Sequence, residues 1–435
     1  MTDLTHRRIL HIAVPVVLAN VTIPILGLVD TGVIGQLGKA APIGAVGIGA
    51  IILTALYWIF GFLRMGTTGF AAQAIGAGDG YESAAILIRA LGIAAVGGLA
   101  IIALQGPLFA AGFWMSPASA EVETLARSYL SIRVWSAPFL ISTFAVTGWL
   151  VASERTRDIL VIQLVMNGTN IGLDLLFVPG LGWGVQGVAS ATVIAEITGA
   201  LLGLCYCRAA FAEAPWRDRA RLLDPAKLKH FARVNADILI RSLLLQAIFM
   251  SFLFFGARYG DVRLAANHIL LQFLGVTAYA MDGFAFAAES LVGQALGARR
   301  RAAFRRASIM VSQWCFGTGA LLAFVFALAG GPIIDVMTTA TDVRTAARDY
   351  LIYMALTPLI SAAPFMLDGI FIGATRTRDM RNMMAVSTVI YFAAAFVLMP
   401  LLANHGLWVA LLISFVARGA TLGWKYPALE RSVPS

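Results

Sequence analysis

Two aspartates, Asp30 and Asp174, lie inside long apolar runs. A carboxylate exposed to lipid there costs about 2.5 to 3.5 kcal/mol on insertion scales, so each should face an interior. Asn167, Asn170 and Asp174 follow one another at intervals of three and four residues, which on a helix gives them one shared face. If the apolar runs are helices of alternating direction, Asp30 falls in the outer half of the first and Asp174 near the outer end of the fifth. Thr192, eight residues into the sixth, reaches a similar depth. Two carboxylates in one low-dielectric cavity repel each other, and a shared proton relieves that repulsion. So does a small hard cation such as sodium, held by the same oxygens with the Asn170 amide and the Thr192 hydroxyl. Spacing alone leaves both ions open.

Other groups are secondary polar candidates. Glu196 comes four residues after Thr192, Asp282 and Glu289 are seven apart on one face of the eighth run, and Asp368 is in the tenth. Arg64, Arg241 and Arg418 are cations within apolar runs, and structural ion pairing accounts for any one of these acids taken singly. Pro15 and Pro24 each remove a backbone hydrogen bond from the first run and favour a bend; the functional version is a hinge whose angle follows the charge of Asp30. Met281, Phe284, Phe286, Met366 and Trp149 are expected to be packing residues. A cavity lined by such side chains with a few acids also suits bulky lipophilic cations.

The elements that must carry these groups are set by composition. With 59% hydrophobic and 13% charged residues, the chain departs from soluble globules, in which about 25% of residues are charged. Twelve stretches are long and apolar enough to span a bilayer, beginning near residues 9, 44, 83, 122, 158, 184, 236, 262, 304, 346, 381 and 406. The net charge of +9 sits in alternate loops: twenty-one Lys and Arg on the side of the termini, against five (Lys39, Arg258, Arg263, Arg344, Arg348) on the other. By the positive-inside rule both termini are cytoplasmic, and nucleic-acid binding is no longer needed to explain the charge.

The chain also repeats itself at an offset of 221 residues. Arg155-Thr156-Arg157-Asp158 returns as Arg376-Thr377-Arg378-Asp379, and Gln73-Ala74-Ile75-Gly76-Ala77 returns as Gln294-Ala295-Leu296-Gly297-Ala298; with one residue inserted, Gly184 falls on Gly406. Six spans per copy is an even number, so both copies insert the same way up. The fold class is therefore an all-α membrane protein of two parallel six-helix bundles. Asp30 lands on Ser251 and Asp174 on Ala395, so the copies share a scaffold but not a chemistry.

The expected organisation is a first lobe over residues 1–207, a cytoplasmic connector over 208–235 and a second lobe over 236–435. Within the connector Asp224-Pro225 reads as a helix cap and first-turn proline opening a short basic amphipathic helix. Gly168 and Gly172 make a small-residue face on the fifth span. The first apolar run is too long for a cleavable signal, and Cys205, Cys207 and Cys315 read as reduced, packed residues. No HExxH, Gly-x-Ser-x-Gly or phosphate-loop pattern is present, so neither an enzyme nor an ATP-driven pump is expected, and no cofactor.

Asp30-Thr31-Gly32, the Asn170-x-x-x-Asp174 spacing with Thr192, and the Gln73 and Gln294 loop echoes resemble the multidrug and toxic compound extrusion (MATE) transporters, above all their DinF branch. The resemblance covers essentially the whole chain. It implies two bundles forming a V, alternating access and monomeric export of organic cations across the bacterial inner membrane. It makes Asp30, Asn170, Asp174 and Thr192 the proton- or sodium-binding positions and Pro15 the bend proline. The NorM branch adds a second-lobe acid pair; Asp368 fits one member, but Gln246 stands where a glutamate is expected. A lipid-linked precursor flippase of the same superfamily is the alternative.

Overall fold

The computed structural model describes residues 4–36, 38–115 and 119–434. Among them are twelve helices long and apolar enough to cross a membrane, and no strand. We number the spans α1 (His6–Gly35), α2 (Ala40–Gly76), α3 (Gly80–Ala103), α4 (Ala120–Ala152), α5 (Thr156–Gly180), α6 (Gly184–Tyr206), α7 (Pro225–Ala257), α8 (Asp261–Gly297), α9 (Arg301–Met337), α10 (Thr341–Gly373), α11 (Thr377–Leu402) and α12 (Asn404–Arg431). Three spans of the first half carry local breaks: a 3₁₀ turn at Ile59–Gly61 in α2, another at Val134–Ser136 in α4, and a wide turn at Leu176–Gly180 around Pro179 at the end of α5.

The chain divides into two compact units. One is Leu18–Leu228; the other joins Lys229–Ser435 with Met1–Val17. In the second unit Ile248, Phe252, Phe273, Phe326, Tyr391 and Trp408 belong to one buried apolar cluster. Asn267 and Asn404 exchange amide hydrogen bonds at 2.8 and 3.0 Å and the Trp408 indole donates to Asn267 at 2.9 Å, which clips α8 to α12 within that cluster.

The duplication reaches the backbone. Left-handed residues occur at Gly78, Glu154 and Gly182 in the first half and at Arg299, Thr375 and Ala403 in the second, each pair related by the same 221-residue offset. The turns close alike: Arg155 N–H donates to Leu150 O at 2.8 Å, and Arg376 N–H donates to Phe371 O at 2.9 Å. Helix contacts repeat too. A Cβ on Gly148 would lie 2.4 Å from Arg64 O, and one on Gly369 would lie 2.5 Å from Ala285 O, so at both equivalent sites only glycine permits α2 to approach α4 and α8 to approach α10. Gly98, Gly373 and Gly406 also sit against neighbouring backbone. Gly168 and Gly172, singled out in the sequence, have nothing within 4 Å of an added Cβ, because their face of α5 points away from neighbouring helices.

The connector also differs from its expected form. Asp224 Oδ1 does accept from Ala226 N–H at 2.8 Å, capping the helix as its sequence implies. That helix does not stop after a few turns; with no glycine or proline between Ala226 and Ile248 to break it, it continues as α7. Residues 208–228 pack with the first unit rather than crossing solvent. Arg89 of α3 holds them by donating to Leu222 O at 2.8 Å and Arg221 O at 2.9 Å, while Tyr81 donates to Pro215 O at 2.8 Å and Lys227 pairs with Glu82.

Candidate functional site

In the first unit α5 presents a polar line to the C-terminal half of α1. Gln163 donates to Asn167 at 3.1 Å and Asn167 donates to the Thr22 hydroxyl at 2.8 Å, one contact above the next as the three-and-four spacing requires. Nearer the C-terminal ends of both helices, Asn170 and Asp174 meet Asp30. With the Asn170 amide oriented by its hydrogen-bond partners, its nitrogen lies 3.0 Å from Asp30 Oδ1 and 3.1 Å from Asp174 Oδ2, and its oxygen is 3.0 Å from the Thr192 hydroxyl. The two carboxyl groups thus converge on one amide, close enough to interact electrostatically. Asp174 is fully buried and its Oδ1 has no partner. Asp30, Asn170, Asp174 and Thr192 thus come together as one constellation.

Glu196 stands apart from it. Its Oε2 takes a 2.6 Å ion pair from Arg133 of α4, whose guanidinium also reaches Ser136 and the Tyr129 hydroxyl, both at 3.3 Å. Arg133 ends the helical stretch before the 3₁₀ turn of α4, and that turn lets both Tyr57 and Ser136 donate to its carbonyl oxygen. The buried guanidinium acts through space on both Asp30 and Asp174. Sequence reading passed over Arg133; the signal was an arginine thirteen residues into a span, at the depth of Glu196.

The second unit has no such acid pair at the equivalent place. Ser251, the counterpart of Asp30, donates to Ile248 O at 2.8 Å, and Ala395, the counterpart of Asp174, is buried among apolar groups. The residue equivalent to Asn170 is Tyr391, fully buried, with its hydroxyl 3.4 Å from Ser251 Oγ. A phenol ring fills the space that two carboxylates and an amide occupy in the first unit. The charged groups of the second unit lie elsewhere. Asp368 Oδ2 accepts from both Arg241 of α7 and Arg418 of α12, so this carboxylate is clamped between two cations, and Asp282 acts electrostatically on Arg241. Glu289 is two turns along α8 from Asp282, its carbonyl oxygen against Gly373 of α10. Pro15 and Pro24 lie within a helix assigned without interruption from His6 to Gly35, and the division between the compact units falls between them, at Val17 and Leu18.

Twelve spans in two copies of one six-helix plan, with ionisable groups sealed in the interior of each copy, define a polytopic membrane carrier. A family profile described as MatE matches residues 15–176 and 238–397, the two copies in turn, and the chain belongs to this family of transporters. It is 38% identical to the DNA damage-inducible protein F of Escherichia coli K12, over 96% of this chain and 91% of that one. A probable multidrug resistance protein NorM of Caulobacter vibrioides is 29% identical over 71% of this chain and 66% of its own. The fold matches a crystal structure of the Vibrio cholerae MATE transporter VcmN in the bent form, with a TM-score of 0.85, 20% identity and coverage of 98% of this chain and 97% of that one.

Proposed function

We propose that the chain is a proton-coupled exporter of lipophilic organic cations in the bacterial cytoplasmic membrane, with both termini cytoplasmic, working as a monomer by alternating access. The observation that carries the choice of ion is the convergence of the Asp30 and Asp174 carboxyls on the one Asn170 amide. Two carboxylates about 4 Å apart repel by about 4 kcal/mol at an effective dielectric near 20, and one shared proton removes that repulsion. A sodium ion would need several oxygens arranged around it. Here the Asn170 amide nitrogen faces the same two carboxylates, and the Thr192 hydroxyl is 2.9 Å from Val188 O. Protonation from outside favours the state that releases cargo, cargo bound from inside favours the deprotonated state, and by linkage each weakens the other.

Relatives named as probable multidrug resistance proteins support drug-like cargo. Transport of a lipid-linked precursor fits less well: it asks for free cations at mid-membrane, whereas Arg241 and Arg418 share Asp368 and Arg133 is held by Glu196. Efflux of a fluorescent cation from proteoliposomes, driven by a pH gradient alone and then by a sodium gradient alone, tests the reading. We expect transport in the first case and none in the second; the reverse result rejects proton coupling.

A further inference from the structure

At the end of α9 that shares its side with the chain termini, Arg301, Arg305 and Arg306 line an open cavity of about 630 Å³ together with Ile309 and, from the end of α12, Glu430. Glu430 does not neutralise them. Its Oε1 is 3.8 Å from Arg301 Nε and 3.9 Å from Arg305 Nε, beyond hydrogen-bonding distance, and three guanidiniums against one carboxylate leave two positive charges. The wall is firm, because Phe304 of α9 stacks on Tyr426 of α12 with ring centroids 6.2 Å apart. Beyond the arginines the same helix turns apolar: Ile309 is 48% exposed and Phe316 39%, followed by exposed Leu321 and Phe324. With 37 residues, α9 is about 55 Å long, well over the ~30 Å hydrocarbon core, so its first two turns stand at the level of lipid headgroups.

We propose that this cavity is a headgroup site for an anionic phospholipid, whose phosphodiester meets the three guanidiniums while an acyl chain lies along Ile309 and Phe316. Guanidinium forks match phosphate oxygens in pairs, and the step from basic cavity to exposed apolar stripe along a single helix matches the polarity of one lipid molecule. The site is separate from the Asp30–Asp174 pair and does not depend on the coupling ion. Native mass spectrometry of the purified full chain, with phosphatidylglycerol, phosphatidylethanolamine and inorganic phosphate offered in turn, tests it. Phosphatidylglycerol should be retained over phosphatidylethanolamine. Retention should fall about fivefold per charge removed in R301Q/R305Q/R306Q and rise about fivefold in E430Q, where the opposing carboxylate is gone. A gain in E430Q cannot come from misfolding. Equal retention of the two lipids, unchanged retention in the triple variant, or displacement of the lipid by inorganic phosphate would overturn the proposal.

Discussion

Replacing Asp30 by asparagine keeps the shape of the side chain and removes one of the two charges. The Asn170 amide is 3.0 Å from Asp30 Oδ1 and 3.1 Å from Asp174 Oδ2, so the variant retains a polar partner at each position. It loses the like-charge repulsion, about 4 kcal/mol at ~4 Å and an effective dielectric near 20. Only the part that differs between inward- and outward-facing states drives transport, and couplings between two ligands usually amount to about 1 to 3 kcal/mol, or 5- to 150-fold in affinity. The wild-type protein should therefore bind a fluorescent organic cation at least about fivefold more tightly at pH 8 than at pH 6. In Asp30→Asn the ratio should fall to about one, with pH-driven efflux at background and membrane insertion intact. Asp174→Asn should behave alike. Equilibrium binding in detergent and flux in proteoliposomes give the two readouts. A variant that keeps the pH ratio, or that still pumps at the wild-type rate, refutes the reasoning.

Other outcomes follow from the packing. Arg133→Gln strands Glu196 as a buried charge and should cost about 3 to 5 kcal/mol in thermal unfolding; Arg133→Gln with Glu196→Gln should recover most of the loss. Gly148→Val drives a side chain into Arg64 O and should cost about 3 kcal/mol, whereas Gly168→Ala meets nothing and should gain about 0.5 to 1 kcal/mol, both read as melting temperature of the purified protein. Burial pushes the Cys207 thiol up to about 12, with Arg155 opposing and Asp158 adding to the shift, so the thiolate fraction at pH 8 is about one in ten thousand. Exposed Cys205 should then take up a maleimide quickly at pH 8 and Cys207 only after unfolding, as counted by intact mass.

Much of this structure was legible before any coordinates because the determining signals are local. Span number follows from apolar run length, and the offset of 221 residues reappears in left-handed turn residues and in the Gly148 and Gly369 contacts, since a repeated backbone needs the same permissive residues in the same places. The Asp30, Asn170, Asp174 and Thr192 constellation was legible because helical spacing and span depth fix both face and height. What sequence left hidden depends on which helices touch. Arg133 and Glu196 are 63 residues apart, and nothing local announces that α4 lies against α6 there. Ion pairing of Asp368 with an intramembrane arginine was foreseeable, but not that α7 and α12 each bring one to the same oxygen. Gly168 and Gly172 had the right spacing for close packing but no helix opposite. The connector was misjudged in length because helix continuation from Pro225 is decided by the absence of a breaker, a weaker sign than its presence.

The ring of Tyr391 leaves the place equivalent to the Asp30–Asp174 site without an acid pair. On the proposed reading one proton enters for each turnover, and exchange for a singly charged cation then carries no net current. The membrane voltage drops out of the balance, and the steepest cargo gradient is tenfold for each unit of pH across the membrane, because one such unit corresponds to about 1.36 kcal/mol.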